Sequence, residues 1–239
     1  MKILSIGNSF SQDPHAHLHD LAAQNGLDIY AVNLYVSACS LHTHAVNLAE
    51  NNPAYDLEIN GKPTGEKIGI AQALKMDEWD VITLQQVSGL SGLCDTYFPW
   101  FEQVYGAVKE ACPKAQIWFQ YTWAYATNSN HKHFKFYDNN QQTMLARAAE
   151  CRDMIVQNWG LPVIPTGEVI QRLRPILGED KIHRDTFHLS YDYGRLAAAA
   201  TWIKTLTGQN LKVQPYADLD PALTNRIFTE VNALCTFRN

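Results

Sequence analysis

Apolar runs of strand length alternate with segments of helical period along nearly the whole chain, and few folds admit that alternation. Strands joined by crossover helices must bury both faces of their sheet. The pattern therefore predicts an α/β fold, a three-layer α/β/α sandwich with right-handed connections. Residues 2–6, 29–36, 81–84, 117–120 and 162–164 read as a central five-stranded parallel sheet of flavodoxin-like type. Residues 55–59 and 66–70 flank Asn60-Gly61, a turn pair, and read as a small hairpin insertion outside that sheet. Asp13-Pro14 reads as an N-cap followed by proline, opening a helix that runs to about Gln24. Further helices are expected over 98–111, 141–159 with Gly160 as its left-handed stop, 167–177, the alanine-rich 191–207, and 221–234.

No linker, repeat or low-complexity stretch divides the 239 residues, so 1–239 is expected to be one domain. A net charge of -5 with scattered Lys and Arg argues against nucleic acid as a partner. No apolar run approaches the roughly 20 residues that span a bilayer, and a strand starting at Lys2 leaves no room for a secretory leader. A cytoplasmic location is expected. Cys39, Cys94, Cys112, Cys151 and Cys235 are odd in number and form no CxxC pair; they read as reduced thiols.

In such sheets ligands bind at the carboxyl ends of the strands. Ser9 follows the first strand there, at a break marked by Gly7. Residues 37–40, 85–88 and 120–125 follow later strands, and 185–188 follows the last crossover. All five are expected to converge on one edge. Asp185 and His188, three residues apart, supply a carboxylate and an imidazole; with Ser9 they make the parts of an acyl-transfer site. A serine N-cap and an Asp/His helix cap are the non-catalytic alternatives.

Four blocks occur in order across nearly the whole chain: Gly7-Asn8-Ser9-Phe10-Ser11, Leu84-Gln85-Gln86-Val87-Ser88, Thr122-Trp123-Ala124-Tyr125 and Asp185-Thr186-Phe187-His188-Leu189-Ser190. Together they resemble the SGNH (GDSL-type) hydrolase superfamily, in the branch whose first block reads GNSFS. The resemblance implies a serine esterase with the SGNH-hydrolase fold. Ser9 would be its nucleophile, His188 its general base and Asp185 the carboxylate that orients the imidazole, while Ser11 and His183 are the lesser candidates for nucleophile and base.

The oxyanion hole implied by the resemblance uses the Ser9 backbone N–H, a glycine N–H after the second strand and an asparagine amide after the third. Here Ala38 stands at the glycine position and Gln85 at the asparagine position, with Gln86 and Ser88 as alternatives. Trp123 and Tyr125, past the end of a strand, are expected to bind substrate by stacking on a sugar ring or acyl group, while Trp118 and Tyr121 read as core. His15, His17 and His19 invite a metal reading, but no carboxylate or thiolate accompanies them at ligand spacing, so they read as solvated surface imidazoles. His42 and His44 are candidates for the edge of the site, and His131 and His133, in the aromatic loop, for contact with substrate.

The leading expectation is a cofactor- and metal-independent esterase. Its substrate would be a small-molecule ester carrying an acyl group such as acetyl, borne for instance on a sugar. An acyltransferase uses the same intermediate, and a non-catalytic carbohydrate-binding protein would use the same scaffold; both are alternatives.

Overall fold

The computed structural model describes residues 1–234; Cys235 lies outside them. The chain runs β1 (Lys2–Gly7), α1 (Ser9–Gln24), β2 (Tyr30–Tyr35), α2 (Leu41–Ala49), β3 (Tyr55–Ile59), β4 (Lys62–Ile68), α3 (Ile70–Ala73) and β5 (Val81–Leu84). It continues through α4 (Trp100–Ala111), β6 (Gln116–Gln120), α5 (Gln141–Trp159), β7 (Val163–Ile164) and α6 (Thr166–Leu177). It then passes α7 (Glu179–Ile182), α8 (Tyr193–Thr207) and α9 (Pro221–Asn232).

The sheet has seven strands in the order β4-β3-β2-β1-β5-β6-β7, not five. The five expected strands are all parallel. The hairpin does not stand apart: β3 pairs antiparallel with β2 and continues the sheet. Its physical reason is the open edge of β2, whose free amides and carbonyls β3 satisfies while burying Tyr55 and Leu57. The exposed β4 becomes the new edge, guarded by Lys62, Pro63 and Lys67.

Each sheet face carries its own core. Leu4, Ile6, Val32, Leu34, Ile82 and Leu84 pack with Phe101, Val104 and Ile155 on one side. Ile3, Ala31 and Val81 pack on the other with Leu18, Leu21 and residues 196–200 of α8. The alanines let α8 lie close against α1, as the composition of that helix predicts.

Two further expectations need correcting. First, α1 starts at Ser9, four residues before Asp13, because Asn8 caps it: its Oδ1 accepts the Phe10 N–H at 2.9 Å. The Ser11 hydroxyl accepts the Asn8 N–H at 3.1 Å, closing a capping box. Pro14 is therefore inside the helix and cannot donate to the Phe10 carbonyl. Gln120 of β6 does so instead, its Nε2 donating at 2.9 Å. Second, Cys94 and Cys151 are not reduced thiols; they form a disulfide between the turn after β5 and α5. They are 57 residues apart, a separation that leaves no local spacing signal. Cys39 and Cys112 are free. Among the described residues no helix is long and apolar enough to cross a membrane.

Candidate active site

The nucleophile candidate is placed by the cap. Because Asn8 follows β1 directly and caps α1, Ser9 is the first residue of the helix and its N–H is free of the helical ladder. Gly7 is required there: a Cβ would sit 2.1 Å from Ser11 Oγ. Ser11 is buried, its hydroxyl donating to Asn33 Oδ1 at 2.6 Å, so it does not compete with Ser9. Asn33 Nδ2 donates onward to Glu58 Oε2 at 2.8 Å, tying the turn to the hairpin.

Ser9, His188 and Asp185 come together from opposite ends of the chain. Ser9 Oγ lies 2.8 Å from His188 Nε2, and His188 Nδ1 lies 2.7 Å from Asp185 Oδ2. The other oxygen of Asp185 accepts the His188 backbone N–H at 2.8 Å. With Nδ1–H donating to the carboxylate, Nε2 is left as the acceptor for the serine O–H. Asp185 is partly buried, which pushes its pKa up, but the side-chain and backbone hydrogen bonds from His188 outweigh this and hold it below the usual carboxylate value. The carboxylate is therefore ionised when the imidazole is neutral, as an orienting group must be. His183, the lesser base, faces Glu179 instead, at 3.1 Å.

The segment bearing Asp185 and His188 is held from several sides. His183 and Leu189 form an antiparallel bridge at its base, and the Arg184 N–H donates to the His188 carbonyl at 3.1 Å. The Ala126 N–H donates to the Thr186 carbonyl at 2.8 Å. Asp13, expected as a helix cap, is fully buried and bonds to Arg184, Arg195 and the Leu189 N–H. No local pattern reveals that role, since its partners lie more than 170 residues away.

The three expected oxyanion donors fare differently. Ser9 offers its N–H at a helix start, where the positive end of the macrodipole adds to it. Ala38 is exposed and adopts φ 53°, the left-handed conformation a glycine would take freely. Gln85 does not reach the surface: it is buried, and its Nε2 donates to Asn8 Oδ1 at 2.8 Å. Gln86 and Ser88 are no substitutes. Gln86 is bonded to the amides of Leu41 and Val87 and to Thr96, and Ser88 Oγ lies 3.0 Å from the Tyr125 hydroxyl.

Trp123 and Tyr125 do not present a face to a substrate, being only 1% and 0% exposed. Trp123 stacks on Phe10, and its Nε1–H donates to the Phe187 carbonyl at 2.8 Å. Both aromatics face inward because residues 120–126 run under the His188 segment and not past it. That segment also meets His131, whose ring lies 4.7 Å from those of Phe187 and Tyr125.

His15 is not solvated either. It is buried between α1 and the sheet, bonded through Nε2 to Ser5 Oγ at 2.7 Å, and burial drives its pKa down to about 3. His17 and His19 bond to the carbonyls of Tyr191 and Ile29. His44 is buried against Tyr55, whereas His42 is exposed and packs on Trp100. Among the described residues no group of three or more His, Cys, Asp or Glu is placed to hold a metal ion.

Comparison with known proteins agrees with this architecture. The family model of DUF4886, a domain of unknown function, matches residues 2–226. A DUF4886 family protein from Bacteroides uniformis is 34% identical over 97% of this chain and 93% of its own, with a TM-score of 0.91. Two more distant structures share the fold. A candidate SGNH hydrolase from Slackia heliotrinireducens has a TM-score of 0.61 at 21% identity, covering 86% of this chain and 98% of its own. An acetylxylan esterase from Geobacillus stearothermophilus has a TM-score of 0.56 at 13% identity, covering 85% and 92%. No curated protein matches. The chain belongs to the DUF4886 family, and its α/β fold is that of the SGNH hydrolases.

Proposed function

We propose that this DUF4886 chain is a serine esterase of the SGNH/GDSL type, built as one domain, that removes a small acyl group such as acetyl from a carbohydrate. The observation that carries the proposal is the unbroken line from Ser9 Oγ to His188 Nε2, at 2.8 Å, and from His188 Nδ1 to Asp185 Oδ2, at 2.7 Å. The acetyl and sugar parts rest on a weaker support, the acetylxylan esterase among the structural relatives.

In the proposed cycle Ser9 Oγ attacks the ester carbonyl while its proton passes to His188 Nε2. Asp185 holds the resulting imidazolium. The tetrahedral oxyanion is bound by the N–H groups of Ser9 and Ala38. Collapse breaks the bond to the alcohol, which leaves with the proton from His188, and Ser9 carries the acyl group. Water then enters on His188 and repeats the sequence to release the acid. An acceptor alcohol in place of water would give acyl transfer by the same route.

The experiment is Ser9→Ala, assayed with p-nitrophenyl acetate and with acetylated xylooligosaccharides, alongside fluorophosphonate labelling of the unaltered chain. Loss of turnover with an unchanged circular dichroism spectrum, and stoichiometric label on Ser9, are expected. A fully active Ser9→Ala protein would move the nucleophile elsewhere. A native chain that binds acetylated sugars but takes no label would make it a binding protein.

The Cys94–Cys151 disulfide supports a working compartment more oxidising than the cytoplasm expected from the sequence. Non-reducing peptide mapping of protein from its native source tests this. Recovery of both cysteines as free thiols would restore the cytoplasmic reading.

A further inference from the structure

We infer that Asp13 is a positioning residue: an ionic clamp joining the helix that carries Ser9 to the segment that carries His188, and so setting the distance between them. The inference rests on the triad reading above and adds a residue that the triad does not contain.

Asp13 lies one helical turn beyond Ser9 on α1, on the same face. Its carboxylate is fully buried. Oδ1 accepts Arg184 Nη1 at 2.9 Å and Arg195 Nε at 2.8 Å, and Oδ2 accepts the Leu189 N–H at 2.9 Å. Arg184 immediately precedes Asp185 and Leu189 immediately follows His188. Both ends of the four-residue segment are therefore tied to one carboxylate, and Arg184 Nη1 also donates to the Leu189 carbonyl. Arg195 brings α8 to the same point.

A buried carboxylate with three donors, two of them cationic, is far more directional than packing alone. Removing the carboxylate would leave two guanidinium groups and the Leu189 N–H without their shared acceptor, so Asp13 fixes how the two segments meet. The geometry matters because the Ser9–His188 hydrogen bond depends on it: about 1 Å of misplacement costs on the order of 10²-fold in rate. Asp13 touches neither the proposed nucleophile nor the base. It acts through the backbone on either side of Asp185 and His188.

Asp13→Asn keeps the shape and removes the charge. Its amide nitrogen must then face either the two guanidinium groups or the Leu189 N–H, setting donor against donor in both cases. The expected result is a fall in kcat of about 10- to 100-fold with KM within about twofold, and an equal fall in the rate of fluorophosphonate labelling at Ser9. Arg184→Gln and Arg195→Gln provide a second reading in case Asp13→Asn fails to fold. A clamp on the His188 segment predicts that Arg184→Gln lowers kcat about tenfold, whereas Arg195→Gln, on α8, lowers thermal stability with kcat nearly unchanged.

If Asp13→Asn folds with kcat and labelling rate unchanged, the inference is overturned. The same holds if kcat falls equally in the two arginine variants in proportion to lost stability. These outcomes stand apart from failure of the triad reading, which would show as turnover retained by Ser9→Ala whatever Asp13 does.

Discussion

The indole of Trp123 lies 4.2 Å from the ring of Phe10, with the two planes within 12° of parallel. Phe10 follows Ser9, and Trp123 Nε1–H also reaches the carbonyl of Phe187, which precedes His188. One buried side chain thus spans the two halves of the proposed machinery. Trp123→Phe would keep most of the stacking and lose the donor, leaving the Phe187 carbonyl unpaired. The expected cost is about 1–3 kcal/mol of stability, with a several-fold loss of kcat. Urea denaturation and steady-state kinetics check it; an unchanged protein in both would remove Trp123 from any bridging role.

Gln85 supports Asn8, and Asn8 caps the helix that begins at Ser9. Gln85→Leu should therefore act indirectly, lowering kcat about 5- to 10-fold. Loss of a true oxyanion donor costs about 10²- to 10³-fold. The size of the loss on p-nitrophenyl acetate separates the two roles.

Ala38 holds φ 53° without being glycine. The left-handed conformation costs a residue with a Cβ about 1–2 kcal/mol, whereas glycine loses about 0.4–1 kcal/mol more chain entropy on folding. Ala38→Gly should leave a net gain of about 0.5 kcal/mol, and activity within about twofold, because the N–H stays in place. A lower urea midpoint for this variant would count against the strain.

His15 and His44 are both buried, and burial alone pulls each pKa down to about 3. A base whose folded pKa is lowered binds its proton first in the unfolded chain. The stability it protects is complete above about pH 6.5 and drains away as pH falls toward 3. Each histidine removes at most about 1.4 kcal/mol per pH unit in that window, so the pair removes about 5 kcal/mol between pH 6.5 and 4.5. His44→Asn should halve the slope. Urea titrations at stepped pH measure it, and a flat profile would mean that these imidazoles are hydrated.

What the sequence makes legible is local. The helix α5 (Gln141–Trp159) and its stop at Gly160, φ 64°, follow from helical period and the left-handed freedom of glycine. Ser9, Asp185 and His188 stand out because strand, turn and helix signals surround each one. What escapes is set by distant partners. Asp13 beside Pro14 has the composition of a cap, and only the far-off Arg184, Leu189 and Arg195 turn it into a buried anchor. Trp123 and Tyr125 sit past a strand end where ligands often bind, yet the chain returns over them and covers both rings. The hairpin joins the sheet because β2 has an edge to satisfy, a demand that residues 55–70 do not themselves express.

Position 14 is one where α1 lacks a donor, and Gln120 answers from β6. Those two sites are therefore expected to be coupled in energy. An alanine at 14 would let the helix reclaim its own carbonyl and leave the glutamine amide idle, while losing the glutamine alone would strand an acceptor beside Ser9. A double-mutant cycle across the pair should be strongly non-additive, making a helix-breaking residue the point at which α1 is keyed in register to the sheet.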